Sequence, residues 1–391
     1  MSHIQSPNLR VAFFLPSVDG YRDRLRLLTE ISNHVEEFTL IVGHEDSYVE
    51  SQYFKNFRVL EVGFRRGIRP YNMLLASGTA EKLIKENGVN LVHDTFGTLL
   101  PLFRKKNSYP NVKFVTSVFG PVGWRLRKVF NDHSNFKLLT NKMTRNMFVN
   151  RWIEKSICRY ADRVIVQAPG LVQRMVETVN IPPDKVGVLT NNVDTEFWYP
   201  LPAGNHRSDE GVITLLYAGG IDRTRGIFVL LDAVDRLRSK GLKVRMKLVG
   251  GWGPFSRKNV VSRIDQLNIS DEVEFVGRID REALRLLFRT SDLFVYQTIN
   301  DGSPRVILEA IATGLPVIAS YHPGIDVIDP TEKFISFTNF GDVDKLVSRI
   351  VDYHQTPEPW LQRAQFGRNE IVSRFGAISV SEQYVDFYNS I

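Results

Sequence analysis

A strand–loop–helix–strand pattern between Asp292 and Ser320 constrains the fold of this chain more than any other stretch. It opens with the β-prone run DLFVYQ and closes with PVIAS, and both runs are short and apolar. Between them, Ser303 suits an N-cap, Pro304 suits the first helical position, and Gly314 can end a helix formed by RVILEAIAT. Two strands joined by a helix form a βαβ unit, so the pattern predicts a parallel α/β sheet.

The loop before this helix is a candidate ligand site, because parallel sheets bind ligands beyond the carboxyl ends of their strands. The free N–H groups of the first helical turn favour an anion such as phosphate. Two carboxylates flank that turn. Asp301 lies in the loop, and Glu309 lies about 9 Å along the helix from Ser303 at ~1.5 Å rise per residue. This spacing suits the two ends of an elongated ligand, whereas a solvated Glu is the structural alternative.

This segment resembles the signature of family 4 glycosyltransferases, approximately E-G-F-P-x-x-x-x-E-A-x-A-x-G-x-P-V-I-A. The chain has Asp301 at the first Glu, Gly302 and Pro304 at the Gly and Pro, and Glu309-Ala310 at the second Glu and its Ala. The resemblance implies an α/β GT-B fold, in which two Rossmann-like domains with parallel sheets face a central cleft. It also implies a retaining, metal-independent hexosyltransferase that moves a sugar from a nucleotide-diphosphate sugar to a hydroxyl of a glycan or lipid-linked saccharide.

The resemblance implies a role for each part of the segment. Asp301 would hold hydroxyls of the donor sugar, the backbone amides of residues 302–306 would bind its phosphates, and Glu309 would bind the ribose. Relatives also carry a G-R-x-x-x-x-K-G pattern whose Arg and Lys hold the diphosphate. In this chain Gly220 stands at that Arg, and Arg225 stands at that Lys.

Arg225 fits this role because a guanidinium binds phosphate oxygens in a bidentate manner, although a plain surface charge is the alternative. Arg223 or Arg305 could supply the second positive charge. The likeness continues in the glycine-rich stretch VRMKLVGGWGP and in VEFVGRID. The implied donor-binding residues are Gly219, Gly220, Arg225, Gly250, Gly277, Arg278, Asp301, Gly302, Ser303, Pro304, Arg305, Val306 and Glu309. Asp301 and Arg225 would carry catalysis, mainly by electrostatic stabilisation of the leaving diphosphate and by positioning.

The first half of the chain alternates strand and helix patterns, which predicts a second open α/β sheet. Four residues near strand ends are candidate acceptor contacts. Asp19 and Gly20 lie in the loop after the first strand, and His93 ends a later one. Phe119 stands where many relatives have a histidine, so no catalytic histidine is transferred. A structural role in the core is the alternative for His93.

The domain boundaries follow from composition and from the family likeness. NNVDTEFWYP resembles the interdomain region of the family, and the polar run LPAGNHRSDEG predicts a linker. We expect an acceptor-binding domain at 1–196, a linker at 197–210 and a nucleotide-sugar-binding domain at 211–374. The last helix, at 375–391, is expected to pack back onto the first domain.

Positive charge is concentrated in the first half of the chain. The net charge is +10 over residues 1–190 and −3 over the remainder. Residues 122–163 contain ten Lys and Arg against three Asp and Glu, interleaved with aromatic and aliphatic residues. A basic amphipathic segment of this kind can lie on an anionic membrane, or it can be a helix pair with its apolar face in the core.

The composition limits which compartments, cofactors and classes of protein remain possible. A single cysteine, Cys158, excludes an internal disulfide framework. Neither a signal peptide nor a long apolar run is evident. We therefore expect a cytoplasmic protein with peripheral attachment to the inner face of the membrane. No cluster has metal-ligand spacing, and no cofactor is expected beyond the nucleotide-sugar co-substrate. Two alternatives stay open: a GT-B protein that binds a nucleotide sugar without transferring it, and a nucleic-acid-binding protein suggested only by a pI near 9.3.

Overall fold

The computed structural model of the chain has two compact units. The first unit comprises residues 1–192 and 377–391, and the second comprises residues 193–376. The residues that the structure describes are 6–16, 22–43, 57–65, 68–119, 142–202, 211–222, 225–253, 256–299 and 301–391. The first unit therefore ends at residue 192, four residues before the boundary expected at 196. The second unit ends at residue 376, whereas 374 was expected.

The first unit is built on a parallel sheet of seven strands. The strands are β1 (Ser6–Leu15), β2 (Val35–Val42), β3 (Arg58–Glu61), β4 (Leu91–Thr95), β5 (Lys113–Ser117), β6 (Arg163–Val166) and β7 (Val186–Val188). Their order across the sheet is β3-β2-β1-β4-β5-β6-β7. The run from Val11 to Leu15 is buried throughout, which is typical of a parallel strand covered on both faces.

The helices of the first unit cover this sheet. They are α1 (Arg22–Ser32), α2 (Arg69–Asn87), α3 (Leu100–Phe103), α4 (Lys142–Tyr160), α5 (Val172–Val179) and the last helix, α12 (Ala377–Asn389). Helix α12 packs against α1 and contacts the middle of β4, where Tyr388 Oη lies 2.5 Å from His93 Nδ1. Val380, Tyr384 and Val385 of α12 are buried in the same core as β1. The end of the chain is thus part of the first unit.

The second unit is built on a parallel sheet of six strands. The strands are β8 (Val212–Ala218), β9 (Lys243–Val249), β10 (Val273–Gly277), β11 (Leu293–Tyr296), β12 (Val317–Ser320) and β13 (Ile335–Thr338). Their order is β10-β9-β8-β11-β12-β13, which is the strand order of a Rossmann fold. The prediction of two α/β units with parallel sheets is therefore confirmed.

Six helices flank the strands of the second unit in the described ranges. They are α6 (Ile227–Ser239), α7 (Ser256–Leu267), α8 (Arg281–Thr290), α9 (Arg305–Ala312), α10 (Val343–Gln355) and α11 (Pro357–Phe375). Among all helices in the described part of the chain, none is both long enough and apolar enough to cross a membrane.

The segment at the start of the second unit differs from the expected linker. Trp198 is only 1% exposed and packs edge-on against Phe288, so this residue is part of the core. The guanidinium of Arg281 lies 4.1 Å from the ring centroid of Phe197, and Arg285 lies 4.4 Å from the same ring. Residues 197–199 are thus fixed to α8 and are not a linker. Residues 203–210, the polar remainder of the expected linker, lie outside the described residues.

Candidate active site

The predicted donor residues lie at the carboxyl edge of the second sheet. The strand order is β10-β9-β8-β11-β12-β13. The chain leaves β8 towards one edge of the sheet and leaves β11 towards the other edge, so the direction of the connections reverses between β8 and β11. Ligands of open α/β sheets bind at this switch point, beyond the carboxyl ends of the strands. Strand β8 leads into Gly219 and Gly220, and β11 leads into the loop that contains Asp301. The structure thus brings these predicted residues to one edge.

Backbone contacts join the glycines that follow β8, β9 and β10. Gly219 N donates to Val249 O at 2.9 Å, and Gly250 N donates to Gly277 O at 2.7 Å. A Cβ at Gly250 would overlap the carbonyl oxygen of Gly219, and its φ of 135° lies where L side chains are rare. Only glycine allows this close approach, so the loops form a bare backbone surface. Arg278 lies over this surface, close to Gly251.

Arg225, Asp301 and Tyr296 form one hydrogen-bonded cluster at the switch point. Arg225 Nη1 forms an ion pair with Asp301 Oδ2 and donates to Tyr296 Oη at 2.9 Å. Tyr296 Oη in turn donates to Asp301 Oδ2 at 2.7 Å, and Gly302 N donates to Asp301 Oδ1 at 2.7 Å. The two side chains that were predicted to act in catalysis are therefore in direct contact, with side-chain exposures of 31% for Arg225 and 22% for Asp301.

The cluster fixes the protonation state of each member. Burial opposes ionisation of Asp301, but the charge of Arg225 and the hydrogen bonds from Tyr296 and Arg225 outweigh it, so the pKa of Asp301 lies below its usual value. Burial also opposes the charge on Arg225, yet Tyr296 and Asp301 raise its pKa. Burial and then the Asp301 carboxylate raise the pKa of Tyr296 well above its usual value. At neutral pH the cluster thus holds a carboxylate, a guanidinium and a phenol.

A glycine at the start of α6 allows Arg225 to reach the cluster. A Cβ at Gly226 would overlap the backbone oxygen of Gln297, and the φ of Gly226 is 70°. Arg225 N also donates to Asp222 Oδ1 at 3.1 Å, which holds the turn before α6. The connection after β8 is therefore pressed against the strand end of β11. Arg223, one candidate for a second positive charge, lies outside the described residues.

Helix α9 begins one residue later than predicted. Its N-cap position is Pro304, with a ψ of 108°, and the side chain of Pro304 makes no capping hydrogen bond. The prediction of Ser303 as N-cap was wrong because Pro304 adopts an extended conformation before the first helical turn, and Ser303 is buried instead. Gly314, with a φ of 72°, follows the helix as predicted. Arg305, Val306 and Glu309 are half-buried on this helix.

Glu309 and Asp301 lie on opposite sides of the first turn of α9. Asp301 precedes the helix and belongs to the cluster with Arg225, whereas Glu309 is in the second turn. Residues 302–306 connect the two positions, and Ile307 N donates back to Pro304 O at 3.1 Å. The structure therefore has the order that the sequence indicates: the Asp301 carboxylate comes first, the start of α9 follows, and the Glu309 carboxylate comes last.

The predicted acceptor residues belong to the first unit. Asp19 and Gly20 lie outside the described residues. His93 is fully buried, and its second ring nitrogen, Nε2, lies 2.8 Å from Ser117 Oγ. Burial and the charge of Arg24 lower the pKa of His93 well below its usual value. With both ring nitrogens engaged by protein groups, the placement of His93 favours the structural alternative.

Phe119, which follows β5, forms a tilted aromatic pair with Phe96, which follows β4 beside the switch point of the first sheet. Its ring centroid is 5.3 Å from that of Phe96, and the guanidinium of Arg24 lies 4.3 Å from the Phe119 ring. Phe96 is 40% exposed and has a φ of 71°. A positive φ is a strained conformation for a bulky side chain, and such strain is concentrated at functional sites.

Asp94 holds the backbone of Phe96 in this conformation. Its Oδ2 accepts from Gly97 N at 2.7 Å, and its Oδ1 accepts from Leu99 N at 2.8 Å. Burial raises the pKa of Asp94 to about 7 against the effect of these backbone hydrogen bonds. The turn after β4 therefore presents Phe96 to solvent from a fixed backbone.

Comparisons with known proteins agree with this geometry. Residues 27–197 match the family model described as "Glycosyltransferase Family 4", and residues 203–370 match the one described as "Glycosyl transferases group 1". The chain belongs to the family 4 glycosyltransferases. The resemblance that was inferred from the segment around Asp301 is thus confirmed.

Curated relatives of this family member are distant in sequence. It is 23% identical over 230 residues to WcaL of Salmonella typhimurium, a protein assigned to colanic acid biosynthesis, which covers 55% of the chain and 54% of WcaL. It is 26% identical over 387 residues to a D-inositol 3-phosphate glycosyltransferase of Corynebacterium urealyticum, which covers 92% and 89%. The chain spans about half the length of several of the curated relatives that it matches.

Solved structures show the same architecture. Sucrose-phosphate synthase from Thermosynechococcus elongatus superposes with a TM-score of 0.73 at 18% identity, over 98% of this chain and 99% of that chain. Anabaena HepE, solved in complex with UDP and glucose, gives a TM-score of 0.72 at 15% identity, over 98% and 100%. At these identities the likeness shows that the family member has the GT-B fold.

Two residues of the candidate site were not found from the sequence. Tyr296 reads as one more apolar position of the strand DLFVYQ, and only its place at the end of β11 could have indicated a site. Phe96 follows the strand of His93, and no sequence signal indicates its positive φ. Within the described ranges of this family 4 chain, no three His, Cys, Asp or Glu side chains are grouped so that they could hold a metal ion.

Proposed function

We propose that this chain is a retaining hexosyltransferase that moves a sugar from a nucleotide-diphosphate sugar to a hydroxyl of a saccharide acceptor without a bound metal ion. The observation that carries the proposal is the contact of Arg225 with Asp301 at the switch point of the second sheet, next to the N-terminus of α9. A cationic side chain and a helix N-terminus at one place suit a diphosphate.

The donor would lie along α9 with its diphosphate at the first turn. Backbone amides of residues 302–306 and the guanidinium of Arg225 would stabilise the negative charge that develops on the leaving diphosphate. Asp301, held by Gly302 N and Tyr296, would accept hydrogen bonds from hydroxyls of the donor sugar. Glu309 would accept hydrogen bonds from the ribose. Gly219, Gly250 and Gly277 would allow the donor to approach bare backbone.

The acceptor would bind at the switch point of the first sheet. The exposed face of Phe96, backed by Phe119 and Arg24, supports this because the apolar face of a sugar ring packs well on an aromatic ring. A hydroxyl-bearing saccharide, free or linked to a lipid, is the acceptor class that this surface suits. Asp19 and Gly20, in the loop after β1, stay candidates for contacts with its hydroxyl groups.

An anionic membrane surface is the proposed location of the acceptor. Phe148, Val149 and Trp152 on α4 are exposed although they are large and apolar, with Trp152 55% exposed. Tyr71 and Leu74 on the neighbouring α2 are exposed as well. Such patches on a basic unit support contact with anionic lipids. Residues 122–141, the rest of the basic amphipathic segment, lie outside the described residues.

Arginine side chains surround this apolar patch. Arg69 of α2 donates to Asn150 of α4, which joins the two helices, and the guanidinium of Arg104 lies 5.2 Å from the centroid of the Trp152 ring. The guanidinium of Arg65 lies 5.0 Å from the Tyr71 ring. Cations beside exposed aromatic rings suit the level of phospholipid headgroups.

Binding of a nucleotide sugar without transfer is the competing candidate. It is favoured by Gly220, which stands where relatives have an arginine. A thermal-shift screen of UDP- and GDP-sugars tests the shared part of both proposals, since a bound donor raises the melting temperature by mass action.

A transfer assay then separates the two candidates. With the stabilising donor and a lipid-linked or free saccharide, the transferase forms product with the anomeric configuration of the donor, and product formation persists in EDTA. A donor that stabilises the chain but is neither transferred nor hydrolysed would favour the binding protein. A chain that no nucleotide sugar stabilises would contradict both.

A further inference from the structure

We propose that Tyr296 is a positioning residue of the transferase site, whose hydroxyl adapts the site to an aspartate at position 301 and orients both Asp301 and Arg225. This inference rests on the proposed function. The hydroxyl of Tyr296 accepts from Arg225 Nη1 at 2.9 Å and donates to Asp301 Oδ2 at 2.7 Å. It therefore contacts both of the side chains to which a catalytic role is given.

The position of the tyrosine ring is fixed by packing. Tyr296 is 2% exposed, and its ring stacks on Tyr217 with a centroid distance of 6.0 Å and on Phe294 at the same distance. Tyr217 Oη donates to Gly220 O at 2.7 Å, so its own hydroxyl is directed to the loop after β8. A rigid aromatic pair on adjacent strands can thus hold one hydroxyl at a defined point.

The length of the aspartate explains why a hydroxyl is useful there. An aspartate carboxylate ends one methylene, about 1.5 Å, short of a glutamate carboxylate on the same backbone. In this chain Asp301 meets Arg225 and Tyr296 through the same oxygen, Oδ2, and its other oxygen accepts from Gly302 N. The phenol thus fills space next to the carboxylate and fixes its rotamer.

The test is a double-mutant cycle of Tyr296→Phe and Asp301→Glu. Tyr296→Phe keeps the ring and removes two hydrogen bonds, one to Arg225 and one to Asp301, so kcat should fall about 10- to 100-fold while the melting temperature changes little. Asp301→Glu alone should also lose activity, because the longer side chain meets the Tyr296 hydroxyl. In the double variant the glutamate occupies the vacated space, so it should be more active than either single variant.

Tyr353→Phe is the matched control in the same unit. Tyr353 is also buried, and its hydroxyl also donates to a carboxylate, Asp292 Oδ1 at 3.4 Å, but Asp292 precedes β11 at the opposite end of the strand. Its loss should leave kcat and the donor KM within about twofold. A structural effect of removing any buried tyrosine hydroxyl would affect both variants equally.

The titration of Asp301 provides a readout that does not depend on transfer. Carbon-detected NMR of the Asp301 carboxyl should give a higher pKa in Tyr296→Phe, because one of the hydrogen bonds that favour the carboxylate is lost. The acid limb of the pH–kcat profile should move to higher pH with it. Tyr353→Phe should leave both unchanged.

The outcomes separate this inference from the proposed function. Strictly additive losses in the cycle, or a Tyr296→Phe variant with parental kcat and Asp301 pKa, would overturn the positioning role while the parent still transfers sugar. A parent that transfers sugar from no nucleotide-sugar donor would overturn the proposed function itself.

Discussion

Arg225 is held charged and partly exposed at the place where the donor diphosphate is proposed to bind. Its contacts with Asp301 and Tyr296 orient the guanidinium before any ligand arrives, and pre-organisation of this kind lowers the cost of binding. The variant Arg225→Ala should weaken both UDP or GDP and the corresponding nucleotide sugar. A charge-assisted hydrogen bond contributes about 1.5–3 kcal/mol, so we expect a rise in Kd of about 10- to 150-fold by calorimetric titration.

Arg263 provides a matched control for Arg225. It also pairs with an aspartate in the second unit, with Arg263 Nη2 2.7 Å from Asp232 Oδ1, but this pair joins α7 to α6. Arg263→Ala should therefore leave nucleotide affinity unchanged. Equal affinities of the parent and Arg225→Ala for the nucleotide diphosphate would show that Arg225 does not bind it.

Phe96 allows the acceptor site to be tested at one residue. Phe96→Gly removes the aromatic face and also relieves the positive φ, so the acceptor KM should rise while stability is unchanged or higher. Burial of one aromatic face contributes about 1–3 kcal/mol, which corresponds to a change in KM of about 5- to 150-fold. The kinetics of Phe96→Gly with a saccharide acceptor check this, and an unchanged acceptor KM would remove Phe96 from the acceptor site.

At the scale of elements, His93 connects the fourth strand of the first sheet to the last helix. Its two ring nitrogens face Tyr388 on α12 and Ser117 on β5. In His93→Phe both hydroxyl groups lose this partner, so the unfolding free energy should fall by about 1–3 kcal/mol. Urea unfolding at pH 7.5 measures this difference.

The difference in unfolding free energy between the parent and His93→Phe should become smaller in acid. Because burial and Arg24 lower the pKa of His93, the folded chain keeps the imidazole neutral while the unfolded chain binds a proton below about pH 6.5. The contribution of His93 to the unfolding free energy is therefore fully present above pH 6.5. It is lost as pH falls, by up to ~1.4 kcal/mol per pH unit. Parallel pH dependences of the parent and His93→Phe would contradict this account.

The sequence predicted the central βαβ unit well because its signals are local. Strands β11 and β12 read as apolar runs, and the helix between them ends at a glycine. It did not predict β3 or β7, since these strands have only four and three residues and lie at the two edges of their sheet. Short edge strands form because they pair with a neighbouring strand, and the local sequence pattern does not show this pairing.

The chemistry of the site was predictable only in part. Arg225 and Asp301 could be found because charged residues beside a helix start are visible in the sequence. The two residues are 76 positions apart in the chain, and their contact forms only because the loops after β8 and β11 approach each other, which sequence spacing does not predict. Tyr296 could not be found for a related reason, since a buried strand position does not tell which polar groups its hydroxyl will meet.

At the scale of the whole molecule, the uneven charge distribution gives a prediction about membranes. Replacement of Phe148 and Trp152 by serine, or of Arg125, Arg127 and Lys128 by glutamate, should abolish sedimentation with anionic phospholipid vesicles. The parent should bind less as salt rises, because exposed charges are screened.

The control for this experiment is Leu286→Ser, which removes an exposed apolar residue from α8 of the second unit. It should sediment like the parent. A parent that never sediments with anionic vesicles would contradict the proposed membrane surface and would leave a freely diffusing saccharide as the acceptor.

Calorimetric titration of Asp301→Asn and Glu309→Gln tests the proposed orientation of the donor most directly. Both substitutions remove a charge at nearly constant size, and both variants should keep the melting temperature of the parent. The amide oxygen of an asparagine can still accept from Arg225 and Tyr296, so Asp301→Asn should bind the free nucleotide diphosphate nearly normally. It should lose transfer, because the charged carboxylate would no longer contact the sugar. Glu309→Gln should weaken the nucleotide diphosphate itself, because the ribose loses a charged acceptor. If Asp301→Asn weakens the nucleotide diphosphate as much as Glu309→Gln does, the donor does not lie along α9 as proposed.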